Sequence, residues 1–148
     1  MKKVMNAALI LVSALFIVLV YSGLFSTIVI SEEDVGPLTL VYRDHVGDYS
    51  ETGRIQNEIY HALKKGYGIE ATKGFGLYLD NPDSVDVSRL RSQAGCVLDG
   101  NDPSVAERIG KAFQVRVYPK VPSVVSRFPY RNQLSVFLGV VRVYPRLD

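Results

Sequence analysis

One cysteine and two histidines are all that the 148 residues hold for disulfides or soft metals. A lone cysteine excludes an internal disulfide and any cysteine-based metal site. Cys96 lies in the apolar stretch AGCVL (residues 94–98), where a buried, inert thiol is expected. His45 and His61 have no partner in a motif such as H-E-x-x-H, so no metal or other cofactor is expected and each reads as a surface histidine. Charge of one sign is scarce too. The 17 Lys and Arg are set against 15 Asp and Glu, a net +2, and they are scattered with no basic block, so nothing calls for nucleic acid.

Nucleotide and hydrolase signatures are missing as well. Gly74-Phe75-Gly76 lacks the third glycine of a dinucleotide fingerprint, and Gly110-Lys111 leads into alanine where a P-loop needs Ser or Thr. No G-x-S-x-G elbow is present. The residue patterns therefore name no catalytic residue, and the chain is read as a non-enzyme.

What the sequence does have is one long apolar run. Residues 4–25, VMNAALILVSALFIVLVYSGLF, carry no charge, and ~20 such residues suffice to cross a hydrocarbon core. The run is longer than the ~7–15 residues of a secretory signal's core and lacks a clear small-x-small cleavage site before Ser31, so an uncleaved single-pass anchor is expected over residues 1–30. Lys2 and Lys3 favour a cytoplasmic N-terminus with the rest of the chain on the far side.

Residues 31–148 then read as one α+β domain. Strands are expected at 27–30 and 38–45, separated by Gly36-Pro37. HVGDYSETGRI (45–55) is a strand-to-helix connection, in which Gly47 bends the chain and Ser50 caps the helix of residues 51–65. Ile55, Ile59, Ala62 and Leu63 form that helix's apolar stripe, and Gly66 is its expected stop. Strands follow at 73–80 and 91–98. A short helix is expected at 103–113 with Asp102 as N-cap, then strands at 114–118 and 123–128. The last expected helix covers 132–144, with Leu134, Phe137, Leu138 and Val141 as its apolar positions and Pro145 as its stop.

Four stretches together carry a resemblance: LVYRDHVGDYSETG (40–53), KGFGLYLDNP (73–82), LRSQAGCVL (90–98) and FPYRNQLSVFLG (128–139). They resemble the GyrI-like small-molecule-binding domain family, and within it the membrane-anchored branch of receptors acting in ER-phagy, where Y-S-G-L (21–24) leads into the domain. The resemblance implies two strand-helix-strand-strand units, starting at Leu38 and Ser123, with an aromatic-lined groove between them that accepts small molecules without converting them. In the family two more strands follow the second helix, the last bearing a glutamate that pairs with cationic ligands. That glutamate has no counterpart here, so the second unit is expected to be shortened: either a second copy or a protein partner completes the sheet, or the domain is a shortened, non-functional version. The branch's acidic tail, which engages autophagy proteins, has no counterpart either, and that branch keeps its domain in the cytosol. The side of the membrane therefore stays open.

Strand parity supplies the candidate ligand residues. With Phe75, Leu77 and Leu79 facing the helices, Gly76 and Tyr78 would face the open side of the sheet, and Tyr49 and Tyr130, at matching turns, would rim the groove. Two other readings accompany the small-molecule module. One is a membrane-tethered, receptor-like adaptor recruiting a protein by strand addition. The other is a hydrolase of strained small rings, known in the family, resting on Glu51, Glu58 or Asp80.

Overall fold

In a computed structural model, residues 2–100 and 103–143 are described. Asp102 as helix cap and Pro145 as helix stop lie outside the described residues. The chain is a mixed α+β protein with an N-terminal apolar helix. It divides into two compact units, one of Met1–Asp34 with Pro122–Asp148, the other of Val35–Val121.

Within Val35–Val121, β2 (Leu38–Val46), β3 (Lys73–Tyr78), β4 (Arg91–Leu98) and β5 (Gln114–Tyr118) form an antiparallel sheet of order β3-β4-β2-β5. α2 (Thr52–Tyr67) packs on one face and α3 (Pro103–Ile109) contributes Ile109 to the same core. The reason is the stripe of α2: Ile55, Ile59 and Leu63 recur every four residues and share one cluster with Val41, Ala94, Cys96 and Leu98. Burying each of the Ile, Leu and Val side chains is worth about 1.5–3 kcal/mol. Cys96 donates to the Gln56 carbonyl at 3.8 Å, and burial pushes its thiol pKa up, as an inert core cysteine requires.

α2 runs two residues beyond its expected end. Gly66 is inside it, and Gly68, at φ 69°, is the left-handed cap. Tyr67, between the two glycines, packs against the core with the Arg108 guanidinium 5.9 Å above its ring, and that contact carries the helix past Gly66. The start differs too. Asp48, not Ser50, supplies the side-chain acceptor, taking the Ser50 N–H at 2.8 Å and opening a 3-10 turn at Tyr49–Glu51 that feeds α2. α3 ends at Ile109, four residues early, because Ala112 and Phe113 turn back to bond the Ile109 carbonyl.

The other unit holds α1 (Lys2–Tyr21), α4 (Gln133–Val143) and the two-stranded sheet of β1 (Val29–Val35) and β6 (Val121–Arg127). α1 is long and apolar enough to cross a membrane, properties that a span shares with a signal sequence. β1 runs further than hydrophobicity suggests, through Glu32, Glu33 and Asp34. Glu33 is paired with Arg127 of β6 through two bonds of 2.6 and 2.7 Å, which hold its pKa below the ordinary carboxylate range. The end of α1 is closed by polar groups from around α4. The Arg131 guanidinium donates to the Tyr21 carbonyl at 2.7 Å, Arg142 donates to the Gly23 carbonyl at 2.8 Å, and Asn132 donates to the Ser22 hydroxyl at 2.9 Å. Of α4's four expected core positions only Leu138 is buried, while Phe137 and Val141 point out.

Ile59 is fully buried, so Ile59→Ala is expected to cost about 2–5 kcal/mol. Urea denaturation of the detergent-solubilised protein, followed by the circular dichroism of its sheet, measures this. A loss under about 1 kcal/mol would contradict the packing described.

Candidate functional site

Antiparallel register fixes which side chains share a face, because directly opposed residues point the same way. Gly74 opposes Cys96, Gly76 opposes Ala94 and Tyr78 opposes Ser92, and Cys96 and Ala94 belong to the α2 core. Gly76 and Tyr78 therefore face α2, and half-buried Phe75 and Leu77 lie on the opposite face, the reverse of the parity expected from sequence. A single register step separates the two assignments, and an edge strand whose alternate positions are glycine gives little signal for either.

On the α2 side, Tyr49 and Tyr78 form a lock. Tyr49 Oη lies 2.9 Å from the Asp80 carbonyl and 3.0 Å from the Arg91 carbonyl, and accepts the Asp80 N–H at 3.1 Å. Its ring sits 4.6 Å from that of Tyr78, whose hydroxyl lies 3.1 Å from Thr52 Oγ1. Thr52 in turn donates to the Tyr49 carbonyl at 2.7 Å. Gly76 makes room for this arrangement, since a Cβ there would stand 3.0 Å from the Tyr78 hydroxyl. Tyr78 is still 46 % exposed. Tyr130 belongs to the other unit, is 68 % exposed, and lines a cleft of about 290 Å³ with Phe128, Val136 and Val140.

Asp80 closes the lock. Its carboxylate takes the Arg91 guanidinium at 2.7 and 2.9 Å and the Arg91 N–H at 2.7 Å. Those bonds to Arg91 hold its pKa below the usual aspartate range, so it stays ionised at neutral pH. Glu51 and Glu58 are held by arginine as well, Glu51 by Arg54 and Glu58 by both Arg54 and Arg43.

The opposite face carries a second cluster that the sequence reading missed. Tyr42 meets Phe75 edge-on at 6.5 Å, and the Arg116 guanidinium stands 5.2 Å over the Tyr42 ring. Asp44 accepts from the amides of Gln93 at 2.7 Å and Gln114 at 2.9 Å. Gln93 Oε1 and Arg116 Nε are buried and have no hydrogen-bond partner among the described residues. Gly95, opposed to both Tyr42 and Phe75, cannot carry a side chain, because a Cβ would collide with the Val41 carbonyl. At the β5 side Tyr42, Asp44 and Gln114 join Arg43, Gly110, Lys111, Ala112 and Phe113 around an open depression of about 520 Å³. The signal for this site lay in pairing, not in any motif: Tyr42 and Gln114 are far apart in sequence and opposed in register.

The chain is similar to testis-expressed protein 264. It is 30% identical over 136 residues to the protein of that name from Homo sapiens and 28% identical over 137 residues to its homolog from Mus musculus. Each match covers 86% of this chain and 42% of the relative, so the chain spans about two fifths of the length of the curated relatives it matches. No family model matches the chain, and no solved structure matches it.

The lock generates two expectations. Tyr49→Phe, which strips a hydroxyl shared by three backbone groups, should cost about 1 kcal/mol in urea denaturation. Asp80 has a folded-state pKa below its unfolded value, so its contribution is complete above ~3.9 and is lost as pH falls through the lower folded value. Melts of Asp80→Asn should accordingly depend less on pH below about 4 than those of the wild type. Identical acid limbs would remove Asp80 from the account.

Proposed function

We propose that the chain is a membrane-anchored, non-catalytic module that binds a small molecule, built as an anchor over residues 1–30 and a GyrI-like domain over 31–148. The observation that carries this reading is the depression of about 520 Å³ beside Tyr42, within the ~300–1,000 Å³ of ordinary ligand sites. Two aromatic rings, Tyr42 and Phe113, give apolar contact, while Asp44, Gln114 and Lys111 supply polar groups around them. That mixture suits a flat, amphipathic ligand held by stacking and a few hydrogen bonds. The order strand, helix, strand, strand in β2, α2, β3 and β4, begun again by β6 and α4, supports the duplicated architecture. Tyr78, positioned by Tyr49 and Gly76 on the α2 side of the sheet, and Tyr130, in the cleft of its own unit, are separate candidate contact surfaces outside that depression.

Native mass spectrometry of the detergent-extracted full chain tests it. A retained small molecule should be lost at least about tenfold more readily from Tyr42→Ala than from the wild type, and Tyr78→Ala should leave its retention unchanged. Equal retention by wild type and Tyr42→Ala would reject the depression as the site.

A second reading is a tethered adaptor. β3 is an edge strand, with β4 as its one neighbour in the four-stranded sheet, and such an edge can take an added strand once the Gln56 amide, which bonds the Phe75 carbonyl at 2.9 Å, is displaced. A stoichiometric protein travelling with the chain in the same spectra, in place of a small molecule, favours this reading.

A further inference from the structure

The polar closure at the end of α1 does more than satisfy a helix terminus. Ser22 bonds back to the Val18 carbonyl at 2.7 Å, and Arg131, Asn132 and Arg142 bond Tyr21, Ser22 and Gly23. Phe128 fills the space beside Gly23, where a Cβ would stand 2.8 Å from the ring. Wherever α1 ends, α4 is held within hydrogen-bonding reach of that end.

α4 is apolar on its outer side. Val136, Phe137, Val140 and Val141 are 50, 62, 50 and 53 % exposed. At 3.6 residues per turn they cover one continuous arc of about 140°. Ser135 and Leu138 are buried on the other side. Phe25, 70 % exposed, sets its ring 6.2 Å from Phe16 of α1, so a further apolar group lies alongside the helix near its exit. From Phe128 to Val143 there is no acidic residue, and Arg131 and Arg142 are the only charged ones. A 20-residue helix is about 30 Å long, the thickness of a hydrocarbon core, so its end falls at the headgroup boundary.

We propose that the outer face of α4 is a lipid-binding surface that lies in the membrane interface beside the exit of α1, with Val136, Phe137, Val140 and Val141 against the acyl boundary and Arg131 and Arg142 at headgroup level. Two observations select a bilayer over a second copy of the chain. The apolar arc belongs to a helix hydrogen-bonded to the end of a helix suited to span, and the segment carries only positive charge, which matches anionic headgroups and repels its own copy. The proposal rests on α1 being retained as a span.

The chain contains no tryptophan, so single reporters can be read without background. Phe137→Trp and, separately, Leu11→Trp are placed in the full chain and reconstituted in phosphatidylcholine nanodiscs containing phosphatidylserine. The lipid chains are brominated near either the headgroup or the methyl end. Phe137→Trp is expected to emit at short wavelength and to lose roughly half its emission to bromine near the headgroup, and less to deep bromine. Leu11→Trp is expected to show the opposite preference. Emission at Phe137→Trp that acrylamide quenches and bromine does not would overturn the proposal while leaving the span intact. Emission shielded from both quenchers would overturn it as well, since protein would then cover the face. Absence of bromine quenching at Leu11→Trp would remove the span, and the proposal with it.

Discussion

Ile55, Ile59 and Leu63 of α2 share one buried cluster with Ala94 and Cys96 of β4, and this contact assigns every side chain of the four-stranded sheet to a face. Once Cys96 and Ala94 point to the helix, pairing carries Gly74, Gly76 and Val41 with them and turns Tyr42, Phe75, Gln93 and Gly95 the other way. No single residue can leave that arrangement, because a shift of one position would exchange the buried and open sets along the whole strand. The candidate ligand site and the tyrosine lock are both consequences of it, on opposite sides of the same sheet.

The polar groups follow from the same packing. A sheet covered by one helix leaves the ends of β3 and β4 to be closed, and Tyr49 closes them by bonding both Asp80 and Arg91 from the turn that leads into α2. Arginine recurs at carboxylates and at a helix end: Arg91 on Asp80, Arg127 on Glu33, and Arg131 and Arg142 on the carbonyls after α1. Its planar fork suits such multiple contacts, and the negative end of a helix dipole favours a cation there.

Within strongly periodic segments the sequence was a good guide, and where partners are distant it was not. The stripe of α2, the extents of β2, β4 and β5, and the apolar run of α1 were legible because each is a local pattern. The cap of α2 was not: Ser50 was expected, and Asp48 supplies the acceptor because the turn at Tyr49–Glu51 brings its carboxylate to the Ser50 N–H. Gly66 was the expected stop, but Tyr67 packs against the core and the left-handed cap falls on Gly68. Glu33 in β1 hid a strand behind charge, because its partner Arg127 lies at the other end of the chain.

By itself, then, the sequence determined an apolar helix long enough to cross a membrane, a mixed α+β body and the positions of most of its elements, since hydrophobic period and turn residues act over a few neighbours. Tertiary structure alone decided which face of the sheet each residue occupies, that Tyr49 and Tyr78 are tied to Thr52, Asp80 and Arg91, and that Tyr42, Asp44 and Gln114 meet around one depression. Those outcomes depend on register and packing between segments tens of residues apart, and no short window of sequence contains both sides of such a contact.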